Sequence, residues 1–120
     1  MTKITGKAII RADGVELRTA DKGAATLDIG GEKREPKVGA GKTWGYSEET
    51  MPIELTCKVY HTADTSLKKL GAITNATISF ECDSGPRYVL REAFTLDTPK
   101  LDAKDGTVEM KFSAVSCDEA

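Results

Sequence analysis

Ile53-Glu54-Leu55-Thr56-Cys57-Lys58-Val59 alternates apolar and polar side chains without a break. A period of two is what a strand with one dry face and one wet face requires. The same rhythm appears on both sides of this stretch. Val15, Leu17 and Thr19 alternate with Glu16 and Arg18, and Ala25, Leu27 and Ile29 with Thr26 and Asp28. Downstream, Ala76, Ile78, Phe80 and Cys82 oppose Thr77, Ser79 and Glu81, then Tyr88, Leu90 and Phe94 follow. Val108, Met110, Phe112 and Ala114 stand against Glu109, Lys111 and Ser113. Alternation of this kind suits antiparallel sheets packed on one side.

Turn chemistry falls between the runs. Asp13-Gly14 separates Ala8–Ala12 from Val15–Thr19, a strong two-residue hairpin signal, and Asp105-Gly106 does the same before the final strand. Ser84-Gly85-Pro86 links two further strands and Gly30-Gly31 ends another. These signals predict a mainly β fold: an antiparallel β-sandwich or partial barrel, with one short flanking α-helix and a long inter-strand loop. The helix is expected over about residues 64–71, where Asp64-Thr65-Ser66 supplies a cap, Leu67 and Leu70 an apolar side, and Gly71 a stop. Nothing in the sequence suggests a repeat or a second domain, so residues 1–120 are expected to form one domain.

From about residue 30 to 51 the strand pattern disappears. A structureless run of that length inside a compact domain points to a functional segment or to a missed element. It contains the single Trp, Trp44, with Tyr46 close behind. Two scarce aromatics in a loop either fold back on their own sheet or meet another chain, since Trp and Tyr are enriched at interface centres.

Composition bounds the function. The chain has 120 residues, 30% of them charged and 39% apolar, with a formal net charge of −2. No apolar run approaches a membrane span, and Met1–Gly6 lacks the apolar core of a signal peptide, so no membrane role is expected. The charge balance and 6% aromatic content do not suit an electrostatic or base-stacking nucleic-acid binder. Cys57, Cys82 and Cys117 form no C-x-x-C pair, and read as reduced, small apolar residues.

Candidate chemistry fails residue by residue. Gly41-Lys42-Thr43 has Pro36 where a phosphate loop needs its first glycine, and Trp44-Gly45-Tyr46 where it needs a helix. Cys57 and His61 share a strand face but lack further metal ligands or any sign of an activated thiol. Asp102–Gly106 lacks the alternating acids of a calcium loop. Glu48-Glu49 are adjacent and do not converge as paired carboxylates, and the sequon Asn75-Ala76-Thr77 matters only in a secretory compartment. No catalytic residue, metal or cofactor is expected.

Short phrases, in order along nearly the whole chain, do resemble a known family. They are Gly6-Lys7-Ala8, Asp13–Leu17, Arg34-Glu35, Val38-Gly39, Gly45–Glu48 and Met51–Glu54, followed by Thr65–Leu67, Asn75–Ile78, Gly85, Tyr88–Ala93 and Leu101–Gly106. The chain resembles the tail tube proteins of Mu-like contractile-tailed bacteriophages. It departs from them at Ser84-Gly85-Pro86, where the family turns on Asn-Gly, and at Trp44 and the Cys117-Asp118-Glu119-Ala120 tail.

The resemblance implies a structural virion protein, not an enzyme. Its subunits would close into hexameric rings, stack into the inner tail tube and provide a channel for DNA ejection. The implied partners are further copies of itself, the tail sheath, tape measure, baseplate and tail terminator proteins, and DNA in transit. The implied location is the virion tail, with the host cytoplasm during assembly. Glu35, Val38, Gly39, Trp44, Gly45, Tyr46 and Glu48 become candidates for contacts between subunits or rings. Asp28, Glu54, Glu81 and Glu109, on wet strand faces, become candidate lumen carboxylates that would keep phosphate from sticking. Two other readings remain: a tube subunit of a phage-derived bacteriocin or secretion system, and a monomeric β-sandwich binding module.

Overall fold

A computed structural model describes residues 2–19, 25–63 and 65–119. The first hairpin pairs β1 (Ala8–Ala12) with β2 (Val15–Leu17). Asp13 and Gly14 form its loop at φ 51° and 84°, the left-handed pair that a tight hairpin turn needs. β3 (Ala25–Asp28) is followed by β4 (Gly31–Gly39), β5 (Lys42–Met51) and β6 (Glu54–Tyr60). After α1 (Leu67–Gly71) come β7 (Ala76–Cys82), β8 (Arg87–Thr95), β9 (Lys100–Asp102), β10 (Thr107–Ser113) and β11 (Ser116–Glu119).

The antiparallel sheet runs β2-β1-β7-β8-β10-β6-β3, with β11 added to β8 and β9 to β10. β8 belongs to two leaves. Its first half pairs with β7 and β11, whereas Phe94 and Thr95 pair with β10. Between them Glu92 adopts φ 52°, and the β7–β8 register shifts between Ala76 and Ile78. Such an irregularity bends a strand, and this one folds a single sheet onto itself. The ends of the path nearly meet: Thr19 bridges Val59, and the Tyr60 N–H donates to the Arg18 carbonyl at 2.8 Å. The result is the expected mainly β fold, between a sandwich and a barrel.

The core lies where alternation places it. Leu55, Cys57 and Val59 on β6, Ala76, Ile78 and Phe80 on β7, and Val108, Met110 and Phe112 on β10 are buried, together with Ile10, Leu90 and Ala93. Ser113 is buried beside them, and its hydroxyl donates to the Ile53 carbonyl at 2.7 Å. Burying a side chain of the size of Phe112 or Leu55 stabilises the fold by about 1.5–3 kcal/mol.

α1 is shorter than its expected span. Ser66 is the cap, its hydroxyl accepting the Lys69 N–H at 3.3 Å, while the expected starting residue Asp64 lies outside the described residues. Gly71 sits in the last turn, with Ala72 at the C-cap. Leu67 and Leu70 rest on the core, and the Thr95 N–H reaches the Ile73 carbonyl at 2.9 Å, so the helix flanks the barrel.

Two other expectations change. Asp105-Gly106 closes a longer loop than expected, with Asp102 opposite Thr107 and the Gly106 N–H donating to the Asp102 carbonyl. The chain also adds a strand after β10, because the polar tail Ser116–Glu119 pairs with β8. The segment before β1 docks on the β7–β8 turn. There Asp83 accepts the Gly6 N–H at 3.1 Å and pairs with Lys3, while Thr5 bonds to Ser84.

Candidate assembly site

Residues 30–51 are not a structureless loop. β4 and β5 pair from Gly31↔Met51 to Gly39↔Lys42 as a separate two-stranded ribbon. Ala40 and Gly41 close it with φ 49° and 77°, the same left-handed pair as at Asp13-Gly14. Both faces of the ribbon are wet, so no period-two signal marks it, and Ala-Gly is a weak turn phrase. At its root Gly30 adopts φ 70°, and a β-carbon there would lie 2.8 Å from the Met51 carbonyl oxygen. Only glycine fits this close crossing.

The ribbon projects away from the barrel. Of its strand residues only Gly39 is even partly covered, and the molecule measures 62 × 39 × 29 Å. Its radius of gyration is 17.3 Å, against about 14 Å for a compact chain of this length. A lone two-stranded hairpin is marginal in water. This one is held by side-chain pairs across the ladder. Arg34 meets Glu48 at 3.5 Å, and the Thr50 hydroxyl donates to Glu32 at 3.0 Å.

Near the tip the register skips Trp44, since Lys37 faces Gly45 and Val38 faces Thr43. This bulge sets the Nε1–Cδ1 edge of the indole against Gly39, where a β-carbon would lie 3.0 Å from Nε1. Lys42 Nζ stands 4.4 Å from the ring centroid of Trp44, and Arg34 stands 5.7 Å from that of Tyr46. Trp44 is 66% exposed and Tyr46 63% exposed, so neither folds back to bury on the barrel. With Pro36 and Gly45 they border a shallow concavity of about 410 Å³.

The expected loop residues therefore divide. Trp44, Tyr46 and Glu48 gather with Arg34 on one face, Gly45 stands opposite Lys37, Gly39 meets the edge of the indole, and Val38 is exposed beside the turn. Glu35 points to the opposite face, where it pairs with Lys37 at 3.7 Å. Sequence reasoning missed Arg34 and Lys42 as partners of the two rings. Their positions across and along a ladder become visible only once the ribbon is paired.

The four carboxylates also separate. Glu81 lies on the outer face of the β7 leaf, bonded to Arg11 at 3.0 Å and within 3.9 Å of Arg87. Arg91 and Asp118 pair nearby at 2.8 Å. Glu109, Asp28 and Glu54 lie on the outer face of the other leaf, Glu109 opposite Lys58 and Asp28 directly opposite Glu54. The two leaves back onto one core, so Glu81 faces away from the other three.

A cavity of about 310 Å³ opens between β2, the end of β6 and α1, with Leu17, Val59 and Leu70 inside and Glu16, Arg18 and Lys69 at its edge. Burial pushes the Cys57 thiol up to about 12, the wrong direction for a nucleophile. His61 lies past the end of β6. Among the described residues no group of His, Cys, Asp or Glu could hold a metal ion, and no helix is long and apolar enough to cross a membrane.

Comparison with known proteins agrees with this architecture. The family described as phage tail tube protein matches residues 1–119. The Mu-like prophage FluMu tail tube protein of Haemophilus influenzae is 38% identical over 116 residues, covering 97% of this chain and 95% of that one. The tail tube protein of Escherichia phage Mu is 28% identical over 97 residues, covering 81% and 80%. Among solved structures, Hcp1 from Flavobacterium johnsoniae superposes with a TM-score of 0.58 over 94% of each chain at 12% identity, a likeness of fold.

Proposed function

Since the chain belongs to the phage tail tube protein family, a family of structural virion tail components, we propose that it closes into hexameric rings that stack as the inner tail tube. The observation that carries this reading is the Gly31–Met51 ribbon, an arm with no interior of its own in a single subunit. An exposed ribbon with aromatic side chains gains its buried surface from a neighbour. The sheet supports the same reading, because β2 and β3 end the strand path, and among the described residues a single bridge, Thr19 to Val59, joins the two ends and leaves most of both edges unpaired. Pairing such edges between copies closes a ring and removes the hazard of unlimited edge association.

In this reading the tube passes DNA into the host without gripping it. The leaf bearing Asp28, Glu54 and Glu109 faces the channel. Glu81 contributes little repulsion because Arg11 and Arg87 neutralise it. The outside of the tube meets the sheath, and its interior and ends meet the tape measure, baseplate and terminator proteins. Assembly takes place in the host cytoplasm.

Electron microscopy of the purified protein across a concentration series tests the proposal. A second chain, with residues 33–49 replaced by Asn-Gly, isolates the arm. The intact chain is expected to form rings or hollow tubes, and the shortened one a folded subunit that does neither. Tubes from the shortened chain, or an intact chain that never assembles, would overturn the reading.

A further inference from the structure

A second apolar surface lies at the root of the arm. Leu27, Ile29, Phe80 and Tyr88 line an open groove of about 510 Å³ where the end of β3 passes β7 and β8. Phe80 and Tyr88 are opposed across β7–β8, which makes part of the lining aromatic. Asp28 borders the groove and stands opposite Glu54. Like charges at opposed strand positions are unfavourable. Neither carboxylate has an ion-pair partner among the described residues, and the Gly30 N–H that Asp28 accepts at 3.0 Å leaves its charge in place.

The tip of the arm is the complement of this groove. Exposed Trp44 and Tyr46 carry Lys42 and Arg34 over their rings. Lys42 has no carboxylate partner among the described residues. β4 has nine residues, which at ~3.3 Å each hold the tip about 30 Å from the root. The paired ribbon thus keeps its own tip out of its own groove, and only a second copy can bring tip and groove together.

We infer that the Lys42–Trp44–Tyr46 tip of one copy seats in the Asp28-bordered groove of the next, Lys42 meeting Asp28 and Glu54 while an aromatic ring packs on Phe80 and Tyr88. The inference rests on the tube-forming reading and names the surface that receives the arm. The cavity beside α1 suits the tip less well, because its edge is of mixed charge, Glu16 with Arg18 and Lys69, and offers no opposed pair of carboxylates to an incoming cation. Tip and groove are different surfaces, so the contact is heterologous and repeats from copy to copy. It also relieves the Asp28–Glu54 repulsion only on assembly, and with two carboxylates to one Lys42 the seam keeps a net negative charge towards the channel.

Charge exchange tests the contact by light scattering and electron microscopy. Lys42→Glu alone, and Asp28→Lys with Glu54→Lys, should each raise the concentration needed for assembly by at least about tenfold, and combining them should return it to within about threefold of the unaltered chain. Urea unfolding of each variant establishes that the subunit is folded. Reversed carboxylates that assemble normally, or a combination no better than its parts, would overturn the inference. As a second measurement, Tyr46→p-benzoylphenylalanine in assembled material should crosslink to residues 27–29 or 80–88 of another copy; crosslinks to the β2–α1 cavity would overturn it. An unaltered chain that never assembles removes the tube reading itself, whereas normal tubes with either negative result remove only this contact.

Discussion

The Trp44 indole turns its Nε1–Cδ1 edge onto Gly39, so close that a β-carbon there would sit 3.0 Å from Nε1. The contact ties the bulged residue to the opposite strand and fixes which face of the ribbon carries the ring. Gly39→Ala should lift the indole and weaken assembly by about tenfold, on the scale of a displaced interface aromatic. The urea midpoint of the barrel should stay unchanged. Intrinsic Trp fluorescence and a concentration series of electron micrographs check the two effects.

Ala40 holds φ 49° in the ribbon turn, a conformation that disfavours a β-carbon. Ala40→Asn supplies a side chain better suited to that position and should stabilise the closed ribbon by about 0.5–1 kcal/mol. Slower hydrogen exchange of β4 and β5 amides is the expected sign. Barrel amides should not change.

Phe112 is fully buried at the centre of β10. Phe112→Ala should cost about 3–5 kcal/mol, a large share of the ~5–15 kcal/mol that holds a typical domain folded. Urea unfolding checks the size of the loss. Removal of the arm should shift the same transition by far less.

Cys57 titrates near 12 because burial disfavours its thiolate, against an ordinary 9.0. At pH 8 roughly one Cys57 thiol in ten thousand is ionised, so native protein should react with thiol reagents at Cys82 and Cys117 first. The folded thiol holds its proton longer than the unfolded one. Its stabilising contribution is therefore complete below pH 9 and falls by about 1.4 kcal/mol per unit as pH rises towards about 12. Cys57→Ala should flatten that decline in urea titrations across the alkaline range.

The Gly6 N–H holds the Asp83 carboxyl below the ordinary carboxylate range, with Lys3 adding to the effect. A lowered value means that the contribution is present above that range and is lost as pH falls through the lowered value. Acidification should release residues 3–6 from the β7–β8 turn, seen as a fall in the protection of the Gly6 amide relative to its intrinsic exchange rate at each pH. Asp83→Asn should produce the same loss of protection at neutral pH.

The legible part of the fold was the part with one dry side. Leu55-Thr56-Cys57, Ile78-Ser79-Phe80 and Met110-Lys111-Phe112 reveal burial directly, because alternate residues face core and water. The ribbon was hidden for the converse reason: Lys33, Arg34, Glu35 and Pro36 are all exposed, so pairing leaves no imprint on polarity. β11 was hidden likewise, as a polar strand added at an edge. Asp105-Gly106 marked the place of a turn but not its length. The wet positions of Asp28, Glu54, Glu81 and Glu109 were visible, yet a period of two separates inside from outside without separating one leaf from the other. The Arg34–Tyr46 and Lys42–Trp44 contacts needed the register itself.

The crossing at Gly30, where the Met51 carbonyl leaves no room for a side chain, isolates the ribbon from everything that folds the barrel. The buried letters of the barrel and the exposed letters of the arm are thereby written in separate stretches of the chain. Residues 31–51 can lengthen, shorten or exchange their aromatic and charged letters without a toll on the core. In the proposed tube, one half of each contact between copies can therefore be rewritten while the barrel is kept.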